Sequence, residues 1–344
     1  MPPLVLSFII AGITTGTVIT MSSHHWLMAW LGLELNTLAI LPIISKPKHP
    51  RSIEAATKYF LIQSIASSIL LFSSITNAWL TGHWNITLMQ NEYACLLMTI
   101  SLAMKMGAAP LHFWLPEVIQ GSTLSSALLI TTWQKIAPIV LMYMVSNHLP
   151  PNTLMAIGAL SILVGGAGGM NQTQLRKMMA YSSIAHIGWT MLAMATAPNI
   201  SMLNIIIYMI MTTPTFLLLM QTTTKTLQDI TTTWTTTPAA TMTLTMLLLS
   251  LGGLPPLTGF IPKLLILNEL IMQKLTPLAT LMALTSLLSL LFYLRTTYLI
   301  AMTTAPTTTT SQMKWRTPNQ NYLLTPATTP TALASAPTTP SLIT

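Results

Sequence analysis

Four charged side chains stand inside runs of otherwise apolar residues. They are Glu34 in WLGLELNTL, Lys105 in SLAMKMGAAPLHF, Lys135 in LLITTWQKIAPIVL and Lys263 in GGLPPLTGFIPK. A lysine or carboxylate at the centre of a membrane span costs about 2.5–3.5 kcal/mol on insertion scales, so four isolated ones would cost on the order of 10 kcal/mol. They must therefore face a protein-lined, hydrated interior and one another. Three lysines against one acid leave uncompensated positive charge, a setting in which ammonium groups exchange protons rather than lock into pairs. The chemistry this predicts is proton transfer. The static alternative is one fixed Glu34–lysine ion pair, with the other lysines bound to backbone carbonyls; such a lock is expected to balance its charges.

Two of the lysines adjoin interruptions of the apolar pattern, at KMGAAP (105–110) and GGLPPLTGFIPK (252–263). Proline removes a backbone donor and frees a carbonyl one turn earlier, and unwound backbone at membrane depth survives only where it lines a cavity. A broken helix beside an ionisable residue is how secondary transporters build ion sites, whereas a lone proline kink is common and mute. The repetition of break plus lysine predicts duplicated machinery, in which the break gives Lys105 water and room to change partners. His112 and His186 are secondary relay candidates. A lone buried histidine is more often a hydrogen-bonded core residue, and only the company of the lysines favours a relay. Glu117 and Glu269, after the two breaks, are open between gating and rim packing. Glu54 is expected to pair with Lys58 and Arg51 at the inner surface, and His24 and His25 to occupy an interfacial turn.

The elements that must position these groups follow from composition. Of 344 residues, 52% are hydrophobic and 6% charged, against about 25% charged in soluble domains. A soluble surface cannot be built from so few charges, and the mean hydropathy of +0.64 agrees. The chain is predicted to be an all-α, polytopic transmembrane helix bundle. Spanning-length runs cover about 3–21, 25–45, 58–80, 92–109, 124–146, 152–170, 174–196, 201–221, 239–270 and 276–300, ten spans of which two are discontinuous. Residues 321–344 have the length of an eleventh span, but four prolines and many threonines suit a lipid-facing helix poorly. With the N terminus inside, the inner loops and span edges hold nine basic residues (Lys46, Lys48, Arg51, Lys58, Arg176, Lys177, Lys225, Lys314 and Arg316) and the outer loops only Lys274. That bias is the positive-inside signature. It accounts for the net charge of +8 as topological anchoring and sets a nucleic-acid role aside. Arg295 is placed near an inner span end, where it can snorkel.

Other chemistries fare badly. The single cysteine, Cys95, excludes an internal disulfide and a cysteine-ligated cluster. GGAGGMN (165–171) puts Asn171 where a dinucleotide fingerprint needs its third glycine and has no βαβ context, so small-residue helix packing is the better reading. The methionines, dispersed through apolar runs, read as packing or lipid-facing residues. No metal cluster, nucleophile elbow or haem-ligand pattern is evident, and no cofactor is expected in this chain. The opening MPPLVLSFII has no basic n-region or Arg-rich presequence, which suggests a first span acting as its own insertion signal or synthesis inside the housing compartment.

Several stretches closely resemble one family. GLELN (32–36), PRSIEAATKYF (50–60), MKMGAAPLHFWLPEV (104–118), TWQKIAP (132–138), NQTQLRKMMAYSSIAHIGW (171–189) and LLSLGGLPPLTGFIPK (248–263) are similar to subunit 2 of animal mitochondrial NADH:ubiquinone oxidoreductase, respiratory complex I. The similarity runs from the first span to about residue 300. It implies an antiporter-like fold related to Mrp-type cation/proton antiporters, with 1–300 as the antiporter-like core of a single transmembrane domain, 1–344, and 301–344 as a polar loop and C-terminal span. It implies encoding by mitochondrial DNA, the mitochondrial inner membrane, and an N terminus on the matrix side. The family's central charged chain matches Glu34, Lys105, Lys135 and Lys263. FMN and iron–sulfur clusters are then expected in other subunits of the complex, and the expected partners are other membrane-arm subunits and phospholipids, cardiolipin among them. The tail departs from the family, whose members usually end in a clearly apolar helix. Two rivals stand beside this reading: a free-standing cation/proton antiporter, whose relatives usually have longer chains, and a non-transporting structural membrane subunit whose charges only fix helix packing.

Overall fold

The computed structural model describes residues 2–255 and 257–302, with Thr329 and Leu333. The expected eleventh span, 321–344, and the anchors Lys314 and Arg316 thus lie outside the described residues, those two positions apart. Within them the chain is helical: α1 Pro3–Ser22, α2 Trp26–Ile44, α3 Pro50–Thr81, α4 Glu92–Met106, α5 Trp114–Gly121, α6 Leu124–Thr131, α7 Trp133–Val145, α8 Pro151–Met170, α9 Leu175–Thr196, α10 Pro198–Thr222, α11 Leu227–Thr236, α12 Pro238–Gly252, α13 Phe260–Met272 and α14 Thr276–Met302.

Among the described residues, seven helical stretches are long and apolar enough to cross a membrane: α1, α2, α3, α6 with α7, α8, α10 and α14. The other three expected spans differ for local reasons. The run 92–109 yields a 15-residue α4 because the first break ends it; 239–270 is divided between α12 and α13 by the second; and α9 carries Tyr181, Ser182, Ser183, His186 and Thr190 along its length, which lower its hydropathy. Large apolar side chains project outward from the long helices, among them Phe8, Phe72, Trp79 and Leu284, each more than half exposed. Water would penalise that surface, whereas lipid tails match it.

Two helices depart from the sequence expectation. α3 starts at Pro50 rather than near 58, because proline suits the first helical position and His49 caps it, its Nδ1 accepting from Arg51 N at 3.3 Å. α11 lies between the expected spans 201–221 and 239–270, where no helix is expected. Thr226 and Asp229 form a capping box there: Asp229 N donates to Thr226 Oγ1 (3.3 Å) and Thr226 N to Asp229 Oδ2 (2.8 Å). The backbone N–H of Thr226, then that of Lys225, holds the Asp229 carboxyl below its ordinary range.

The helices form two packing units. One comprises Met1–Ser161 and Met191–Pro198; the other holds Ile162–Thr190 and the chain from Asn199 onward. In the first, α2 and α4 pack on α3, and α7 packs on α1, α2 and α4. This arrangement brings Glu34, Lys105 and Lys135 into one neighbourhood. In the second, α11, α12 and α13 all pack on α14. The glycine-rich end of α8 behaves as the packing reading expects: Cβ atoms on Gly165 and Gly169 would lie 2.7 Å from Ala185 N and 2.8 Å from Phe292 Cδ1. Arg295 donates to Met170 O at 2.8 Å and caps the C-terminus of α8, a contact the sequence did not suggest.

Candidate functional site

In the first unit, the last turn of α4 carries Lys105, 6% exposed. Gly107 ends the helix at φ +79°, a left-handed conformation that glycine adopts without a Cβ clash. The Ala109–Pro110 peptide is cis, and the chain then turns into α5. The carbonyls freed by the break find side-chain donors: Trp114 Nε1 donates to Met104 O and Gln63 Nε2 to Lys105 O, each at 3.2 Å. This is how unwound backbone survives at that depth.

The Lys105 ammonium itself is buried and makes no hydrogen bond within the protein. It lies within the electrostatic reach of Glu34. Glu34 is half-buried; one carboxylate oxygen is engaged only by Thr37 Oγ1 at 3.4 Å and the other is buried without a partner. No ion pair within 4 Å joins Glu34 to Lys105, so the fixed lock between these two is absent.

Lys135, 4% exposed, sits in the first turn of α7, just after a third interruption that the sequence did not suggest. The helix breaks at Thr132 (φ −110°, ψ −72°). Pro138 lies inside α7, where its ring crowds the carbonyl four residues earlier. Thr131 and Thr132 turn their hydroxyls back onto Ala127 O (2.9 Å) and Leu128 O (2.7 Å), a bond that bends helices. All three interior lysines therefore flank a break.

Lys105 and Lys135 line the same cavity of about 10 Å³, together with Asn36, Tyr59, Gln63 and Gln134. That is about the swept volume one water needs. Gln134 Nε2 donates to Asn36 Oδ1 at 2.8 Å, which fixes the polar wall between α2 and α7. Residue spacing could not reveal this wall, because its members come from three helices, α2, α3 and α7, brought together by packing.

In the second unit, α12 ends at Gly253 (φ +81°), and Lys263 lies one turn into α13. Its stem runs along Gly253, where a Cβ would fall 2.9 Å from Nζ, and Nζ donates to Gly252 O at 2.8 Å. Lys263 thus makes the backbone contact of the static alternative, whereas Lys105 does not. The two breaks are alike in ending on a left-handed glycine and unlike in how they treat their lysine. His186 joins Lys263 in lining a tight crevice with Ser182, Ser289 and Tyr293, and its ring packs tilted by 37° against Tyr208 with centroids 4.9 Å apart.

His112 is not brought to either place. It is buried against Phe113, and its ring nitrogen is 3.2 Å from Pro110 O, which makes it a brace of the first break. Glu117, left open by the sequence, joins Glu54 on Lys58: the two carboxylates lie 2.6 and 2.5 Å from its ammonium, on an exposed surface. His25 caps α2 and stacks on Trp84, consistent with a turn. Glu269 is half-buried on α13. Among the described residues, no three His, Cys, Asp or Glu side chains converge to hold a metal.

Comparison with known proteins locates this arrangement. A family model described as "NADH:quinone oxidoreductase/Mrp antiporter, TM" matches residues 23–289, and one described as "NADH dehydrogenase subunit 2 C-terminus" matches 290–343. The NADH-ubiquinone oxidoreductase chain 2 of Varanus baritji is 52% identical over 316 residues, 92% of each chain. That of Latimeria chalumnae is 49% identical over 344 residues, 100% of this chain and 99% of its own. Among solved structures, a chain of respiratory complex I from Thermus thermophilus superposes with a TM-score of 0.85 at 25% identity, covering 97% of this chain and 78% of that one.

Proposed function

The chain belongs to the NADH-ubiquinone oxidoreductase chain 2 family, and from that premise we propose that it is a core membrane-arm subunit of respiratory complex I that moves protons through Glu34, Lys105, Lys135 and Lys263. One observation carries the reading beyond family membership: Lys105 and Lys135 share a water-sized polar cavity in which the Lys105 ammonium makes no hydrogen bond to the protein. A structural lysine would be satisfied. One awaiting a proton acceptor need not be, and a single water between the two side chains would be enough to hand a proton across.

In this account Glu34 modulates Lys105 electrostatically, and Lys105 and Lys135 exchange a proton. Lys263, once released from Gly252 O, connects to the outer side with His186 in support. Electrons from NADH to ubiquinone pass through other subunits, which hold FMN and iron–sulfur clusters, and this chain carries no redox centre. The reading includes ten spans with an eleventh in 321–344, an N terminus on the matrix side of the mitochondrial inner membrane, and 1–300 acting as the antiporter-like core of one transmembrane domain, 1–344. Its partners are the neighbouring membrane-arm subunits and phospholipids, cardiolipin among them.

Native-gel migration of detergent-solubilised mitochondrial membranes, with in-gel NADH dehydrogenase staining and mass spectrometry of the stained band, tests the assignment. The chain is expected only in a very large NADH-oxidising band. Migration alone, or with a small partner and no NADH activity, would instead support the free-standing antiporter.

A further inference from the structure

The two lysine sites differ in their room for water. The cavity beside Lys105 and Lys135 admits about one, whereas the crevice around Lys263 and His186 has no volume for a water centre. A proton passing between Lys263 and His186 therefore needs a protein group to carry it.

Three hydroxyls line that crevice, and two of them are committed. Ser182 Oγ donates to Met179 O and Ser289 Oγ to Ser286 O, each at 2.7 Å. The third belongs to Tyr293, 1% exposed. Its hydroxyl has no partner of good hydrogen-bond geometry, the Ser182 hydroxyl being the one group beside it that interacts with it. Buried polar groups are rarely left so, and each one in a native structure calls for an explanation. The ring is fixed over the anchor of Lys263: a Cβ on Gly252 would sit 3.5 Å from Tyr293 Cδ2, and Gly252 O is the acceptor of Lys263 Nζ. On the histidine side, Tyr208 packs against the His186 ring in a tilted contact and interacts electrostatically with Tyr293.

Resting on the functional reading above, we propose that the Tyr293 hydroxyl is the proton bridge between Lys263 and His186. Lys263 turns from Gly252 O and donates to Tyr293 Oη. As Oη takes up the ammonium proton, it passes its own to the unprotonated imidazole nitrogen of His186. Lysine ends neutral, histidine ends as imidazolium, and the tyrosine keeps one proton throughout. Rotation about the C–O bond resets it. Because the phenol never has to ionise, a dry apolar site suits this transfer.

The test uses the whole complex in sealed proteoliposomes, with proton pumping followed during NADH oxidation. Tyr293→Phe keeps the ring over Gly252 and removes only the bridge. Its pumping rate per assembled complex is expected to fall by about tenfold or more, matching Lys263→Met, with an unchanged thermal midpoint. If Lys263→Met is impaired and Tyr293→Phe pumps like wild type, the bridge is overturned and Tyr293 merely packs. If Lys263→Met itself pumps normally, the role of Lys263 falls, and the bridge with it. Rescue separates chemistry from packing and serves even where the Phe variant does not assemble. Tyr293→His, which returns a proton carrier to the crevice, is expected to pump within about threefold of wild type, and a loss as deep as that of Lys263→Met would overturn the proposal.

Discussion

Lys105→Met is expected to lower proton pumping sharply while leaving the complex at least as heat-stable as wild type. The two effects have opposite signs because they have different origins. Met matches the length and volume of the lysine stem, so it opens no cavity. It also removes a buried ammonium that no protein group satisfies, relieving a burial penalty on the order of 2–3 kcal/mol. A lysine retained for packing would show the reverse, a lower thermal midpoint with pumping intact. Measuring the thermal midpoint of the purified complex beside its pumping rate therefore discriminates directly between a proton carrier and a scaffold. A destabilised complex that still pumps would sink the carrier role of Lys105.

The largest structural effect is expected at Gly259, where the second break turns into α13. A Cβ there would overlap Ser250 O and lie 2.9 Å from Ser250 C, with Met211 Cε at 3.0 Å. The methionine could swing aside, but the Ser250 backbone cannot move without pulling the end of α12 away from α13. Forcing extra atoms into packed interiors costs typically 1–3 kcal/mol, and this contact is to backbone, so Gly259→Ala should cost about 3 kcal/mol or more. The amount of assembled complex in native gels should fall several-fold, as stability losses of that size translate into abundance. Normal assembly would mean that the α12–α13 junction is looser than the packing described above.

The charged chain was legible in the sequence because it violated a rule with a known cost: ionisable groups do not enter apolar spans without cause. Glu34, Lys105, Lys135 and Lys263 stood out for that reason alone. The breaks at 105–110 and 252–263 were legible from proline and glycine. The break at Thr132 was not, although Pro138 was in plain view, because a proline acts one turn upstream and whether the helix kinks or parts there depends on how Thr131 and Thr132 bond back. α11 was hidden in a threonine run, yet the Thr226–Asp229 capping spacing could have found it. The polar wall of Asn36, Tyr59, Gln63 and Gln134 was beyond reach, since only the packing of α2 on α3 and α7, and of those two on α4, places those side chains together. The same holds for Tyr293, an ordinary aromatic residue in an apolar run until the fold sets it over Gly252. His112 is a case in which local contacts were not legible. Its position beside the first break suggested a relay, but local geometry turns it to Pro110 and Phe113.

The central claim is that protons cross between Lys105 and Lys135 and that complex I turnover drives them. The most direct measurement is the number of protons pumped per electron by complex carrying Lys135→Met, assembled to wild-type levels and sealed in proteoliposomes. A lowered ratio is the predicted result, since the cavity would then hold only one of its two proton carriers. A ratio equal to wild type in the fully assembled complex would contradict the account and leave Lys135 as a packing residue beside a bent helix.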